Sequence, residues 1–571
     1  MNIDRRTFSL SQLRILETTE RLKLVVLLLI GIVSALLDVA VVALVLPVIR
    51  LVTDPISSTN NFVLRNVFRL LNTHELRGQL IVAFSILFVV YLLRTLFAVF
   101  RTHIQATFRQ QLYRRLGTDL FTRYISNPFE FHLSTNSGDL IRNIYGVHSF
   151  LNNYVFAVIT IISEVTMLLL IAVLLFVVSP VVAGIVIIFS SISTLILFAS
   201  TSHRLKRSGD TVRELTGRRL VVLQEAFQGI KEIKVFSKER YFIKRYDHFH
   251  NRTLEGERRY EVITGITGPI FEMIMIGGLV AAVSTITIVY NDPTQIFPIV
   301  SLFAVSAFRF VPSFGRIIHS YQNIDFGSSM SKVISDDMER GDGGRIPLSS
   351  EERISFETKL ELRNLSFQYP SRNRPTLTSV NFAFDQGKCY GVIGESGSGK
   401  TTLINILLGL LVPTSGSVEI DGVDLQDCLH AWRSTIGYVP QDIFLIDGTI
   451  KENVAFGVPS ADIDEQLVLK SLNTSELLKF VQNLPLGIET NVGENGVSLS
   501  GGQRQRLGIA RALYRQPSVL ILDEVTSALD ADTEKEIVDA VLKLREQLTI
   551  IIVTHRPRIA AMCDETLKIL P

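Results

Sequence analysis

Residues 24–49 read LVVLLLIGIVSALLDVAVVALVLPVI, with one charge, Asp38. About 20 apolar residues cross a bilayer as a helix. In lipid every backbone polar group must be satisfied inside the segment, which leaves helices and closed barrels. A cleaved leader would have a shorter apolar core ending at a small-residue site. The run therefore predicts a spanning helix.

Five more apolar runs follow, at 80–100, 151–178, 181–201, 269–290 and 296–320. Only Ser179-Pro180 separates the third from the fourth, so those two form a tight helical hairpin. An even number of spans puts both termini on one side. Residues 1–23 hold five Lys and Arg, 101–150 hold six and 202–262 hold fifteen, whereas the opposite connections hold four, none and none. Lys and Arg stay cytoplasmic, so both termini are expected there. The long polar connections look helical, and spans two to five should continue well beyond the bilayer.

Residues 336–355 are polar, contain GDGG and read as a linker. From 356 to 571 short apolar strands (389–393, 519–522, 549–553) alternate with helical segments. The expected fold class is an α-helical six-span membrane domain, residues 1–335, followed by a soluble α/β domain, residues 356–571. A net charge of +2 gives nucleic acid no support as a partner. Cys389, Cys428 and Cys563 are too few and too far apart in sequence for a disulfide framework or a Cys-rich zinc site.

The strand at 389–393 runs into Gly394, Glu395, Ser396, Gly397, Ser398, Gly399, Lys400 and Thr401, the pattern G-x-x-x-x-G-K-[ST] between strand and helix. Glycines let backbone N–H groups wrap phosphates. Lys400 adds a cation at the β/γ end, and the Thr401 hydroxyl suits Mg²⁺. The strand 519–522 ends in Asp523-Glu524. An acid at the carboxyl end of a buried parallel strand faces the ligand crevice. Asp523 suits Mg²⁺, directly or through water. Glu524 suits a proton acceptor for the attacking water.

These residues carry a resemblance. Leu499, Ser500, Gly501, Gly502 and Gln503 resemble the signature of ABC transporter ATPases. Tyr369 in LSFQYP is similar to the aromatic that stacks on adenine, Gln441 in YVPQD to the glutamine between core and helical subdomain, Ser527–Asp530 to the loop after the catalytic Glu, and His555 in IIVTHR to the switch histidine. The resemblance implies ATP and Mg²⁺ as cofactors. It implies Glu524, His555 and Gln441 in catalysis, and Thr401, Gln441 and Asp523 at the metal. The nucleotide would meet Tyr369, the loop from Gly394 to Thr402, and a signature (Ser500 to Gln503) from the other subunit. One membrane domain and one ATPase domain imply a half-transporter that dimerises, here with itself. Short cytoplasmic helices near 127–131 and 228–233 are expected to dock on ATPase domains, against a loop resembling Gly493–Gly496.

The ionisable residues in the spans are the only sequence clue to cargo. They are Asp38, Arg94, Glu164, Glu272, Arg309 and Arg316. Charges at membrane depth face a cavity or a partner, so Arg94, Arg309 and Arg316 are candidates for an anionic cargo. Structural ion pairs with the three acids, and snorkelling to the interface, are the alternatives. The stretch from Phe308 to Tyr321, with Asp38, Glu164 and Arg94, resembles bacterial lipid-linked oligosaccharide flippases. Residues 61–71 read as an external amphipathic helix that would meet the lipid. The resemblance implies ATP-driven flipping of a lipid-linked, anionic cargo in a bacterial inner membrane. A peptide or drug exporter is the alternative.

Overall fold

The computed structural model describes residues 15–53, 75–289, 293–339, 354, 356–370, 372, 374–493, 496, 498–525 and 531–570. The expected amphipathic helix at 61–71, the loop 527–530, residues 494 and 495, and most of the linker lie outside them. Contacts divide the chain into two units, Met1–Asn127 with Thr135–Arg345, and Pro128–Ser134 with Ile346–Pro571.

The first unit is helical throughout. Its long helices are Thr18–Thr53, Leu76–Ser126, Pro180–Gln228, Glu239–Val289 and Pro293–Glu339. The helix Ser137–Phe150 passes through one π turn, Leu151–Val155, into Phe156–Val178. Five helical stretches among the described residues are long and apolar enough to cross a membrane. The apolar run 181–201 lies in the helix Pro180–Gln228, whose proline sits at the first turn, where its missing N–H costs nothing. Large side chains such as Phe88 and Val177 point outward, as a lipid solvent allows. The interior packs Ala35, Val42, Ile171, Phe271, Leu302 and Phe310.

Two expected boundaries move. The final helix continues through Pro298 and Pro312 to Glu339, so the linker does not begin at 336. Asp337 explains this, because its Oδ2 accepts from Tyr124 Oη at 2.5 Å and Asn143 Nδ2 at 3.0 Å. Burial and this carboxylate push the Tyr124 phenol up. The short cytoplasmic helices span Phe129–Ser134 and Ile230–Val235, about two residues later than the sequence suggests. The first belongs to the second unit, where Phe129 packs against the core.

The second unit holds two sheets. The antiparallel one has β1 (Lys359–Phe367), β2 (Leu377–Asp385), β4 (Ser415–Ile420) and β5 (Val423–Asp424), in the order β2-β1-β4-β5. The parallel one has β3 (Cys389–Gly394), β6 (Ile436–Val439), β7 (Val519–Asp523), β8 (Thr549–Val553) and β9 (Glu565–Ile569), in the order β6-β7-β8-β3-β9. Every residue of β7 and β8 is buried, which is why they read as unbroken apolar runs. The parallel sheet also brings Cys389 Sγ within 3.2 Å of Cys563 Sγ, although 174 positions separate them. Both are free cysteines.

One buried cluster fixes the helix Gly501–Tyr514 to the segment after β6. Arg511 donates to Asn453 O at 2.8 Å, Asn453 Oδ1 at 2.9 Å and Phe444 O at 2.7 Å. Asn453, fully buried, also donates to Ile446 O and Thr449 O. We expect Arg511→Ala to destabilise the ATPase unit by about 2–4 kcal/mol, since three hydrogen bonds are lost and Asn453 Oδ1 keeps only the Ile446 N–H. Arg511→Lys should recover less than half, having no fork. Thermal unfolding followed by a probe in this unit checks both.

Candidate ATP site and membrane charges

All five strands of the larger sheet run parallel, so their carboxyl ends share one edge. That edge is where open α/β sheets bind ligands. Adjacent strands deliver adjacent functions there. Gln441 follows β6, Asp523 and Glu524 end β7, His555 follows β8, and the glycine loop follows β3. Register makes them level, with Val553 of β8 beside Asp523 on one side and Val392 on the other.

The loop conformation requires its glycines. Gly397 and Gly399 have φ of +83° and +104°, a region that favours glycine. A Cβ on Gly399 would stand 2.9 Å from Thr376 O, and one on Gly394 2.7 Å from Ile569 O. Lys400 is buried, and its Nζ donates to Gly394 O at 3.1 Å and Glu395 O at 2.9 Å. Ser398 Oγ is buried without a hydrogen-bond partner among the described residues. Glu395, Ser396 and Gly397 form the exposed outer side of the loop. Thr401 is exposed in the first turn of the helix Lys400–Leu407. Thr402 is buried, and its Oγ1 lies 3.2 Å from Tyr369 Oη. Tyr369 packs edge-on against Phe367, centroids 4.9 Å apart.

Asp523 is only 6% exposed. Burial first, and then the Glu524 charge, push its carboxyl up to about 6, with Lys400 opposing. Glu524 adopts φ +50°, a backbone conformation that costs a non-glycine residue roughly 1 kcal/mol or more. Its N–H donates to Val553 O at 3.0 Å. The turn leaves its carboxylate between two partners, with Gln441 Nε2 donating to Oε2 at 3.1 Å and His555 Nε2 2.5 Å from Oε1. The structure thus joins the three residues expected in catalysis.

Ser500 caps the helix Gly501–Tyr514. Its Oγ accepts from the Gln503 N–H at 3.3 Å, and its own N–H donates to Gln503 Oε1 at 2.8 Å. Gly501 and Gly502 make the first turn. Among the described residues no hydrogen bond joins this group to Lys400 or Glu524. Sequence reasoning missed this capping box, although S-x-x-Q before a helix is its signal. It also missed Asn453 and Arg511, for which the sequence gives no signal.

Phosphate and Mg²⁺ fit this edge. Gly394 and Gly399 leave no room for a Cβ, an amine lies on the loop, and Thr401 and Asp523 offer hard oxygen donors. No group of three His, Cys, Asp or Glu holds a metal among the described residues, so phosphate oxygens would complete the shell, as is usual for Mg²⁺.

The membrane unit pairs all three candidate arginines with acids. Arg94 Nε lies 2.7 Å from Asp38 Oδ1, and Arg309 Nη2 lies 3.2 Å from the same oxygen. Arg316 grips Glu164 through Nε at 2.6 Å and Nη2 at 2.9 Å, with Ser313 Oγ at 3.1 Å from Nη2. The two acids are buried, while the side chains of Arg94, Arg309 and Arg316 keep 21%, 23% and 49% of their surface exposed. Glu272 is exposed and joins neither group.

Comparison with known proteins agrees with this geometry. Residues 28–309 match the ABC transporter transmembrane region and residues 377–527 the ABC transporter domain. The chain is 31% identical over 452 residues to the ATP-dependent lipid A-core flippase of Paraburkholderia xenovorans, covering 77% of this chain and 74% of that one. It is 35% identical over 366 residues to the flippase of the same name from Burkholderia orbicola, covering 63% and 60%. A solved structure of a bacterial Atm1-family ABC exporter with ATP bound has the same fold, with TM-score 0.75 at 21% identity, over 96% of this chain and 93% of that one. The chain belongs to the ABC transporter family, as an exporter-type half-transporter with its membrane region and ATPase domain on one polypeptide.

Proposed function

We propose that the chain hydrolyses ATP to flip a lipid carrying an anionic, phosphate-bearing saccharide headgroup. It would act as a homodimer in a bacterial inner membrane, with both termini cytoplasmic. The observation that carries the ATPase half is the Gln441–Glu524–His555 cluster, set one strand from the phosphate loop. Glu524 accepts the proton of the water whose oxygen bonds the γ-phosphorus. The bond to the bridging oxygen then breaks and ADP leaves. Gln441 and His555 hold the carboxylate in line, and Lys400 meets the leaving charge. Tyr369 stacks on the base, and Ser500 to Gln503 of the second copy close the far side of the nucleotide. Thr401 and Asp523, with Gln441 beside them, would hold Mg²⁺, which supplies charge neutralisation at the phosphates.

The names of the relatives support a lipid cargo, and the membrane charges support an anionic one. Three arginines face two acids in the paired groups, which leaves one positive charge to offer. Arg309 is the freest to exchange partners, because Asp38 keeps Arg94 when Arg309 turns away.

Glu524→Gln should keep ATP binding and lower hydrolysis by at least ~100-fold, since the amide keeps its shape but accepts no proton. Phosphate release and nucleotide binding, measured together, check this; near-normal turnover would remove Glu524 from the role.

Asp523→Asn separates stability from chemistry. A carboxyl held at about 6, above its ordinary 3.8, favours the folded state when protonated. That contribution is present below pH 3.8 and lost as pH rises through about 6. The variant should therefore match wild type near pH 4, exceed it above pH 6 by up to ~3 kcal/mol, and hydrolyse little ATP. Nucleotide-free melting across this range is the measurement.

Arg309→Ala should leave stability nearly unchanged, because Asp38 stays paired with Arg94. It should cut flipping of a labelled polyprenyl-pyrophosphate saccharide or lipid A in proteoliposomes by roughly tenfold or more. Arg316→Ala should lower the melting temperature, because Glu164 is left buried and unpaired, and adding Glu164→Gln should restore it. Unchanged flipping by a stable Arg309→Ala protein would favour a peptide or drug as cargo.

A further inference from the structure

A cavity of about 660 Å³ lies between the helices Pro180–Gln228 and Glu239–Val289. Arg204, Arg207, Arg252, Arg258 and Arg259 line it, with Glu255 the one acid among its described lining residues. Only Arg259 is near that acid, at 4.0 Å. The other four arginines are exposed and make no ion pair among the described residues. A second cavity of about 690 Å³, lined by the same helices and by Ser137–Phe150, is unlike it. There Arg142, Arg218 and Arg245 are paired with Asp139, Glu214 and Glu225.

The depth of the basic cavity follows from helix geometry. Arg204 lies three residues beyond the apolar run 181–201, or ~4.5 Å along the axis. The antiparallel helices touch at Gly256, where a Cβ would stand 2.5 Å from Val212 Cγ2. The same Cβ would stand 3.8 Å from Ser208 O, so Gly256 lies between these two turns and Arg258 and Arg259 fall about level with Ser208 and Arg207. Val262 and Ile263 line the end of the cavity nearest the apolar spans. A cation-lined hollow with an apolar upper end, at the cytoplasmic edge of the bilayer, matches a phosphate-bearing headgroup with its first acyl carbons above it.

We propose that this groove is a binding site for the phosphate headgroup of an anionic lipid in the cytoplasmic leaflet. It is separate from the Asp38–Arg309 group and needs only that these helices span the membrane, so it stands or falls independently of the cargo proposed above. Four unpaired guanidiniums repel one another, and a phosphate dianion relieves that repulsion while accepting their forked donors.

The test uses the full-length protein in phosphatidylcholine nanodiscs and a fluorescent phosphatidic acid as probe. The triple variant Arg204→Gln, Arg207→Gln, Arg258→Gln should bind the probe at least tenfold more weakly than wild type, and the corresponding triple Lys variant should stay within about threefold. Glu255→Gln should tighten binding severalfold, a gain that misfolding cannot produce and that decides the matter if the triple variant is unstable. Arg245→Gln, in the paired cavity, should leave probe binding unchanged. Inorganic phosphate should compete only at far higher concentration than short-chain phosphatidic acid. Equal binding by wild type and a folded triple Gln variant would overturn the proposal, as would no gain from Glu255→Gln. Competition by inorganic phosphate as effective as by the lipid would assign the groove to a soluble anion instead.

Discussion

The ATP site depends on one strand. β8 has β7 on one side and β3 on the other, in register at Val553. That alignment makes the ends of three strands level, and it is strongly specified because β8 is buried on both faces. A slip of one residue would turn buried side chains to the opposite face. It would also separate Glu524 from His555, since the Glu524 N–H is tied to Val553 O and His555 begins two residues further on. The left-handed backbone at Glu524 is the local cost of turning a carboxylate across β8, and the contacts to Gln441 and His555 hold it there.

In the membrane unit the governing constraint is the expense of charge in lipid. Asp38 between Arg94 and Arg309, and Glu164 beneath Arg316, satisfy it with two acids for three bases. The two groups are not equivalent. Glu164 is held by one arginine at two points, a closed pair whose rupture leaves a buried charge. Asp38 is shared, so one arginine can leave and the acid stays compensated. The proposed turn of Arg309 toward an anion would therefore leave Asp38 paired with Arg94.

Much of this was legible in the sequence because it is written as periodicity and spacing. The apolar runs became long continuous helices, and the strands before Gly394, Asp523 and His555 fell where their apolar residues ended. Gln441, Glu524 and His555, each singled out by its motif, lie in contact. The partners of the membrane arginines were not legible, because an apolar span has no polar stripe to show which way each charge faces. The cytoplasmic helices start about two residues late because Pro128 and Gly229 stand before them and set their first turns. The linker begins later than composition suggests because Asp337, an ordinary acid in sequence, is captured by Tyr124 and Asn143. The meeting of Cys389 and Cys563 needed the crossover order of β3 and β9, which spacing does not encode.

The Arg511–Asn453 cluster gives the site its mechanical continuity. Gln441 begins the segment that runs through Phe444 and Ile446 to Asn453, and Ser500 begins the helix that carries Arg511. Arg511 takes hold of Phe444 O and Asn453 from that helix. The segment that begins at Gln441 and the helix that begins at Ser500 are therefore tied together by the hydrogen bonds of Arg511. In the proposed homodimer, the exposed Ser500 end of this helix is the part that would meet the second copy.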